Sequence, residues 1–276
     1  MTGVAVLGGS SPLVPYLLEH LPQDGSVTLV SRRLAAAPPT AATTTYADAP
    51  ADLDVARAVS LMPVWELPAY FDWLAERGCR RLVVLSSTSR FTKTASARAH
   101  DRDLAARLAG GEDAVEAWAA DAGVALTILR PTMVYGGPAD GNVSELTRVL
   151  RRFRVVPLVG SGSGLRQPVH MGDVAATAAR ALLADRTPRT AYDISGGEVL
   201  AYRRLVDRIR GTVPGPTLVV RVPGWPFRLL ERTLPRSRKA SLAAGMVDRM
   251  GTDMVFDHSA AAADLGHQPR AFTPGV

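Results

Sequence analysis

Short apolar runs alternate with amphipathic segments through the first half of the chain, and this alternation predicts the fold. The apolar runs that favour strands are residues 4–7, 26–31, 56–62, 81–85 and 125–129. The segments with helical spacing are residues 13–21, 65–77 and 113–122, whereas residues 35–45, rich in Ala, Pro and Thr, favour a loop or a weak helix. Strands that alternate with helices form βαβ units, so the pattern predicts an α/β fold with a doubly wound parallel sheet.

Residues that directly follow the apolar runs are the candidate ligand site, because such a sheet binds its ligand at the carboxyl ends of its strands. The first run is followed by Gly8, Gly9, Ser10 and Ser11, and then by an apolar segment. A glycine pair between a strand and a helix suits a nucleotide phosphate, which the free N–H groups of the helix would face. Ser11 and Val14 occupy later positions where a dinucleotide fingerprint has glycine, and a glycine pair also forms ordinary turns.

Two further strand ends carry polar groups. Arg32 and Arg33 follow the second run, where an enzyme selective for NAD usually has an acidic residue. Guanidinium groups there favour the 2′-phosphate of NADP, although two surface arginines would look the same. Residues 86–89 are Ser-Ser-Thr-Ser and follow the fourth run. Their hydroxyl groups suit a ligand oxygen, or else they cap a turn or helix.

Composition and charge narrow the class of protein. The 276 residues are 47% hydrophobic and 21% charged, with a net charge of +6 concentrated in residues 148–154 and 228–239. The few aromatic residues are not interleaved with the basic ones, so nucleic acid is not an expected partner. Cys79 is the only cysteine, which excludes an intrachain disulfide and a thiolate metal cluster. No signal peptide or transmembrane run is expected, and the expected location is cytoplasmic.

Motifs in a fixed order carry a resemblance to a known family. They are the glycine turn, Leu-Ser-Ser-Thr-Ser at residues 85–89, Ile-Leu-Arg-Pro-Thr-Met-Val-Tyr-Gly at 128–136, Gln-Pro-Val-His-Met-Gly-Asp-Val-Ala at 167–175 and Tyr-Asp-Ile-Ser-Gly-Gly-Glu at 192–198. From residue 2 to about residue 210 the chain resembles the extended and atypical short-chain dehydrogenase/reductases, the NAD-dependent epimerases and dehydratases.

The resemblance implies a domain division. A Rossmann-type dinucleotide-binding domain would occupy residues 1–135, and residues 165–195 would return to it. A small substrate lobe would be formed mainly by residues 136–276. In the motif at 167–175, we interpret His170 and Asp173 as part of a helix cap, with Asp173 near the start of a helix over residues 174–183, rather than as metal ligands. No metal site is expected.

The resemblance also implies functional residues. Its cofactor-binding positions are Gly8, Gly9, Ser10, Ser11, Pro12, Leu13, Ser31, Arg32, Arg33, Met62, Pro63, Ser86, Pro131, Thr132 and Met133. Asn142 and Arg166 match positions that contact the substrate diphosphate in nucleotide-sugar members of the family. Ser87 stands where the family places its catalytic Ser or Thr.

One departure from the family concerns proton transfer. The family acts through a Tyr-x-x-x-Lys pair on one helix, but the corresponding positions here are Leu104 and Leu108, and residues 86–130 contain no tyrosine. Lys93 and Tyr135 are the nearest substitutes, and His100 and Asp101, in residues 99–102, are further alternatives. The candidate catalytic residues are therefore Ser87, Thr88, Lys93 and Tyr135.

These observations lead to a functional hypothesis. We expect an NADP(H)-binding oxidoreductase or epimerase-type enzyme, with NADP(H) favoured over NAD(H), acting on a hydroxyl or keto carbon of a nucleotide sugar or secondary metabolite. A non-redox cyclase, isomerase or lyase on the same fold and a dinucleotide-sensing regulatory protein remain alternatives. Residues 223–239, amphipathic and basic, suit a cover over the pocket or a peripheral membrane contact. An oligomer is also left open.

Overall fold

The computed structural model describes residues 3–33, 40–96, 98–137, 140–185, 187, 189–223 and 250–275. Elements of the first half are β1 (Val4–Leu7), α1 (Val14–Leu18), β2 (Val27–Ser31), β3 (Ala42–Thr45), β4 (Arg57–Ser60), a 3-10 helix (Val64–Tyr70), α2 (Phe71–Glu76), β5 (Arg81–Leu85), α3 (Ser89–Thr92), α4 (Ala99–Ala122), β6 (Ala125–Pro131) and β7 (Val134–Tyr135). The second half has α5 (Val143–Phe153), β8 (Val155–Val159), β9 (Leu165–Arg166), β10 (Val169–His170), α6 (Met171–Leu183), β11 (Ala191–Ile194), β12 (Leu200–Ala201), α7 (Tyr202–Gly211), β13 (Leu218–Val222) and α8 (Ser259–Leu265).

A parallel sheet of seven strands, in the order β11-β6-β5-β4-β1-β2-β3, forms the centre of the molecule. Every neighbouring pair in it is parallel. The strand order reverses beside β1, and this switch point opens a crevice at the carboxyl ends of β1 and β4. The predicted α/β fold with a doubly wound parallel sheet is therefore confirmed.

The central strands are apolar because helices cover both faces of the sheet. Residues Val4–Leu7 are all at most 2% exposed, and their side chains alternate between two cores. Val4 and Val6 pack with residues of α1, α6 and α8 on one face, whereas Ala5 and Leu7 pack with residues of the 3-10 helix and α4 on the other. A strand that is buried on both faces gives a continuous apolar run, which is why these strands are readable from the sequence.

Several element boundaries differ from the prediction. Residues 42–45 form β3, which pairs with β2 at the edge of the sheet, where the β-branched Thr43, Thr44 and Thr45 suit an extended strand. The helix expected over residues 65–77 is divided into the 3-10 helix and α2, because Pro68 lies inside it and lacks an N–H group.

The longest helix, α4, extends well beyond the predicted residues 113–122. Gly110 and Gly111 interrupt its helical pattern in the sequence, but the structure requires a glycine where α4 crosses the 3-10 helix. A Cβ atom on Gly111 would lie 2.8 Å from the main-chain nitrogen of Trp65. Close helix packing therefore explains a residue that resembles a helix break.

Helix α6 is capped by His170 and has Asp173 in its first turn, as predicted for this stretch, but the Asp173 carboxylate is bonded to Arg270 rather than to the N–H groups of the helix. The Nδ1 atom of His170 accepts a hydrogen bond from Gly172 N–H at 3.0 Å. The Asp173 carboxylate instead accepts hydrogen bonds from the main-chain N–H and the Nε of Arg270, both at 2.9 Å. Asp173 thus fixes the C-terminal segment to α6.

His267 makes a second connection between the C-terminal segment and the sheet domain. Its ring is 1% exposed, with Nδ1 2.7 Å from Thr177 Oγ1 and Nε2 2.9 Å from the carbonyl oxygen of Ser195. A carbonyl only accepts, so Nε2 carries a hydrogen. Burial lowers the pKa of His267, and the neighbouring His258 adds to this effect.

The pKa of His267 predicts a pH dependence of stability. The pKa of His267 in the folded protein lies below the ordinary value of about 6.5. The stabilisation that depends on the neutral ring is therefore complete above that pH. It is lost as the pH falls through the pKa of the unfolded state and then through that of the folded state. We expect the free energy of unfolding to fall by at most about 1.4 kcal/mol per pH unit below pH 6.5. Urea titrations at several pH values would measure the slope. His267→Gln should flatten it, whereas His100→Gln, at an exposed position, should not. Equal slopes in the His267→Gln variant and the parent protein would contradict this role.

The described residues include neither a helix that could span a membrane nor a cluster of possible metal ligands. Within them, no helix has both the length and the apolar character needed to cross a bilayer. Within the same ranges, no group of three or more His, Cys, Asp or Glu side chains is arranged to hold a metal ion. The predicted amphipathic segment at residues 223–239 lies, from residue 224 onward, outside the described residues.

Candidate active site

The glycine-turn cavity, of about 750 Å³, lies at the carboxyl ends of β1, β2 and β4. Its lining residues are Gly8, Ser10, Ser11, Pro12, Ser31, Arg32, Arg33, Tyr46, Leu61, Met62, Pro63 and Glu66. The predicted residues Gly9 and Leu13 do not line it. Gly9 lies against Leu29, and Leu13 packs on the apolar core.

Gly8 forms the turn that opens this cavity. Its φ is +83°, in the left-handed region that favours glycine, and its N–H donates to the carbonyl of Val30 at 2.9 Å. A Cβ atom at this position would lie 3.0 Å from the nitrogen of Met62. The turn therefore brings the end of β1 directly against the chain that follows β4.

The backbone N–H groups of this turn are arranged differently from the prediction. The N–H of Val14 donates to the carbonyl of Ser11 at 3.0 Å, the N–H of Leu13 contacts Ser11 Oγ at 3.3 Å, and Pro12 has no N–H. The expectation that these helix N–H groups are free to face an anion is therefore wrong. The side chains of Ser10 and Ser11 supply hydroxyl donors at the cavity wall instead.

Charged groups of both signs meet at the β2 end of the cavity. Arg32 and Arg33 are exposed, and the Ser31 hydroxyl donates to the carbonyl of Arg33, which fixes the chain after β2. A guanidinium nitrogen of Arg32 lies 3.7 Å from a carboxylate oxygen of Glu66. Tyr46, whose ring packs 4.0 Å from that of Tyr70, supplies an aromatic wall.

The hydroxyl cavity, of about 670 Å³, lies at the carboxyl ends of β5 and β6. Its lining contains the predicted residues Ser86, Ser87, Thr88, Lys93, Pro131, Thr132, Met133, Asn142 and Arg166. Within the sheet β5 lies next to β4, so this cavity and the glycine-turn cavity occupy neighbouring positions along the same sheet edge.

Ser87 and Lys93 are the candidate catalytic groups that this cavity brings together. Ser87 Oγ accepts a hydrogen bond from Ser89 N–H at 3.1 Å, which leaves its hydroxyl hydrogen able to donate. Lys93 Nζ lies 3.6 Å from Asp101 Oδ1. The Asp101 side chain is only 7% exposed, so it holds the ammonium group beside the cavity in a partly desolvated environment.

A buried carboxylate lies behind the serine cluster. Glu112 of α4 is 0% exposed and accepts a hydrogen bond from the Ser86 hydroxyl. The same carboxylate contacts Arg90 and receives Arg130 Nε and Nη2 at 2.8 and 2.6 Å. Two guanidinium groups and a hydroxyl thus satisfy one carboxylate, and this network orients the end of β5.

The structure removes Tyr135 from the candidate catalytic residues and directs the Thr88 hydroxyl at the protein backbone. Tyr135 is 1% exposed, packs against His170 and Phe272, and lines neither of the two cavities. Burial raises the pKa of its phenol, and its oxygen accepts the N–H of Thr273 at 3.3 Å. Thr88 lines the hydroxyl cavity, but its hydroxyl donates to the carbonyl of Pro131 at 3.2 Å.

Leu104 and Leu108, at the positions that the resemblance gives to Tyr and Lys, belong to the apolar core. Leu108 is 4% exposed and lies in the cluster that includes Leu74 and Val115. Leu104 is partly buried against the same cluster. Neither leucine lines the hydroxyl cavity.

Both predicted substrate residues line the hydroxyl cavity, and each has one donor nitrogen bonded to main-chain carbonyl oxygen. Arg166 is 4% exposed, and its Nη1 donates to the carbonyls of Leu165 and Thr252, each at 2.7 Å. Asn142 Nδ2 donates to the carbonyl of Val134 at 3.0 Å.

Sequence reasoning missed Tyr46, Glu66 and Glu112 as site residues, and it considered Asp101 only as a substitute for the missing proton-transfer pair. Glu66 and Tyr46 come from segments between strand ends, where no motif marks them. Asp101 and Glu112 lie on α4 and pair with cations that come from other segments of the chain. A buried ion pair between distant segments has no local sequence pattern.

Part of this chain is similar in sequence to known proteins. The sequence profile described as the NAD dependent epimerase/dehydratase family matches residues 69–195. A UDP-glucose 4-epimerase of Vibrio cholerae is 22% identical over 177 residues, which are 64% of this chain and 52% of that protein, so the match spans about half the length of this curated relative.

Solved structures share the fold over nearly the whole chain. A UDP-glucuronic acid 4-epimerase from Bacillus cereus, in complex with UDP-glucuronic acid and NAD, superimposes with a TM-score of 0.72 at 12% identity, covering 98% of this chain and 95% of that one. A dTDP-glucose 4,6-dehydratase from Streptomyces venezuelae, with NAD bound, gives a TM-score of 0.69 at 17% identity, covering 98% and 93%. From residue 69 to residue 195 the sequence resembles the NAD-dependent epimerase/dehydratase family, as its motifs predict, and over 98% of its length the chain shares the fold of the solved epimerase.

Proposed function

We propose that the protein is an NADP(H)-binding oxidoreductase or epimerase-type enzyme that acts on a hydroxyl or keto carbon of a small molecule. The observation that carries the proposal is the adjacency of the two cavities along one sheet edge, one at β1, β2 and β4 and the other at β5 and β6. A dinucleotide is long enough to occupy the first cavity with its adenosine and phosphates and to reach the second with its nicotinamide.

The residues of the glycine-turn cavity fit the adenosine and phosphate part of a dinucleotide. Ser10 and Ser11 offer hydroxyl donors to phosphate oxygens, and Arg32 and Arg33 offer cations to a 2′-phosphate. Tyr46 offers an aromatic surface to the adenine. When bound, the nicotinamide supplies the hydride chemistry of the reaction. In this proposal, residues 1–135 with 165–195 form the dinucleotide domain, and 136–276 form the substrate lobe.

In this proposal Ser87 and Lys93 handle the reacting oxygen. Ser87 donates its hydroxyl hydrogen to that oxygen, because its Oγ already accepts from Ser89. Lys93 lines the same cavity and supplies or receives the proton, while Asp101 positions its ammonium group. Tyr135 has no part in this step, since it lines neither cavity.

The preference for NADP(H) is tested by removing one arginine. Arg33→Ala is expected to weaken NADPH binding about 10- to 100-fold, since a charge-assisted hydrogen bond to phosphate contributes roughly 1.5–3 kcal/mol. NADH lacks the 2′-phosphate, so its affinity should stay within about twofold. Calorimetric titration of both nucleotides into the parent protein and the variant measures the difference.

The matched control is Arg107→Ala, which removes an exposed guanidinium of α4 that lines neither cavity. It should leave both affinities unchanged. Glu66→Gln should strengthen NADPH binding, because it releases Arg32 from a neighbouring carboxylate. Tighter binding of NADH than of NADPH by the parent protein would refute the cofactor preference, and no binding of either nucleotide would refute the function.

A non-redox reaction in the same pocket is the second candidate, and the composition of α4 favours it. The positions of the family's Tyr and Lys are occupied by Leu104 and Leu108, which lie in the core and cannot transfer protons. A cyclase, isomerase or lyase needs no net hydride transfer. Turnover of a substrate by protein freed of nicotinamide nucleotide would identify this second function, because an epimerase regenerates its nicotinamide in each turnover but still requires it.

A further inference from the structure

The hydroxyl cavity has walls of two different chemical kinds. Its polar wall comes from the ends of β5 and β6 and includes Ser86, Ser87 and Thr132. Its apolar wall comes from segments outside the seven-stranded sheet. That wall contains Leu146 and Val149 of α5, Val156 and Pro157 of β8, and Met250 and Met254. Val156 belongs to the apolar cluster that contains Tyr135 and Phe272, and Leu146 and Val149 pack against that cluster. This wall is therefore continuous with packed apolar side chains.

Among the described residues that line this cavity, the charged side chains are poorly suited to a diphosphate. Lys93 is paired with Asp101 at 3.6 Å, and Nη1 of Arg166 is directed at two main-chain carbonyls. Glu145, which also lines the cavity, adds a carboxylate. A nucleoside diphosphate carries about two negative charges, and burying them requires cations that are available to pair with them.

Helix α5 also contributes apolar side chains to the cavity and keeps its arginines out of the lining. It contains Arg148, Arg151 and Arg152, yet these arginines are exposed and do not line the cavity. At 100° per residue Arg151 lies on the side of the helix opposite Leu146 and Val149, whereas Arg148 and Arg152 lie about 100° and about 60° from Val149, toward the edges of that side. The chain is therefore rich in arginine on this very helix but presents aliphatic groups to the ligand space.

We propose that the substrate of this cavity is a molecule with an apolar body and a single reacting oxygen, such as an aromatic or aliphatic ketone or secondary alcohol, rather than a nucleotide sugar. The apolar body lies against α5, β8 and the two methionines, and the oxygen lies at Ser87 and Lys93. This inference rests on the proposed function, since it assigns the substrate class of the same site. It removes the diphosphate role that the resemblance gives to Asn142 and Arg166.

The test is a binding comparison by calorimetry. NADP and NAD are titrated first, and 2-acetylnaphthalene and UDP-glucose are then titrated in the presence and absence of the tighter nucleotide. We expect the ketone to bind with a dissociation constant below about 100 µM, given its small number of heavy atoms, and UDP-glucose to bind at least about tenfold more weakly. UDP-glucose binding as tightly as the ketone would overturn the inference.

Variants of α5 locate the ketone. Leu146→Asn should weaken ketone binding by at least about fivefold, and Val149→Thr, which keeps the side-chain shape, by at least about threefold. Arg151→Ala, on the opposite side of the helix, should have no effect. Unchanged ketone affinity in Val149→Thr would also overturn the inference, even if Leu146→Asn proves too unstable to measure. If neither nucleotide binds but the ketone does and both variants weaken it, the proposed function fails while the assignment of an apolar ligand stands.

Discussion

Glu112→Ala is expected to lower the free energy of unfolding by about 3–5 kcal/mol, the range found when one partner of a buried ion pair is removed. Glu112 is 0% exposed and is the shared acceptor of Arg90, Arg130 and the Ser86 hydroxyl. Alanine would leave two guanidinium groups without their counter-charge beside the core. Chemical denaturation, with the slope of the unfolding transition monitored for changes in the unfolded state, measures the loss.

The next residue of the same helix provides the control. Asp113 is also paired with Arg90, at 3.7 Å, but its side chain is 69% exposed, and an exposed pair contributes at most about 1 kcal/mol. Asp113→Ala should therefore have a small effect. Similar losses for the two variants would mean that burial of Glu112 does not determine its contribution.

Removal of Glu112 should also disturb the hydroxyl cavity. Ser86 N–H is fixed by the carbonyl of Leu129 at 2.8 Å, but its hydroxyl is directed by Glu112. Arg130 is held by the same carboxylate. Glu112 thus couples the stability of α4 to the geometry of the strand ends on which the proposed reaction depends.

The central strands and the glycine-turn cavity were predictable because each depends on a local pattern. The run that became β1 is apolar throughout, and the run that became β5 is apolar from Leu82 onward, since both faces of each strand are buried. Once the strands are assigned to a parallel sheet, their carboxyl ends must meet along one edge. That rule alone brings Gly8, Arg33 and Met62 from three separate segments to a single cavity, as the structure shows.

Features that depend on contacts between distant segments were not predictable. Tyr135 was selected because it was the nearest phenol, but Phe272, far along the chain, packs against it and contributes to its burial. The first half of α4 carries no clear apolar stripe, and its close packing on the 3-10 helix stabilises it there instead. The backbone donors of the glycine turn look available in the sequence, yet Ser11 uses two of them.

The glycine turn itself gives the second large expected effect. Gly8→Ala is expected to weaken dinucleotide binding by at least about 30-fold and to lower the free energy of unfolding by about 2–5 kcal/mol. A left-handed backbone costs a residue with a Cβ atom about 1–2 kcal/mol, and overpacking adds about 1–3 kcal/mol. The overpacking arises because the new Cβ would lie 3.0 Å from the nitrogen of Met62, which belongs to the opposite wall of the cavity.

Gly25 allows the two causes to be separated. Its φ is +80°, nearly that of Gly8, but a Cβ atom there would meet nothing within 4 Å. Gly25→Ala should therefore cost only about 1–2 kcal/mol in unfolding free energy and leave nucleotide affinity unchanged. The difference between the two variants isolates the approach of β1 to the chain after β4. If Gly8→Ala binds NADPH as tightly as Gly25→Ala, the phosphates do not lie against this turn, and the cofactor site proposed for the sheet edge is refuted.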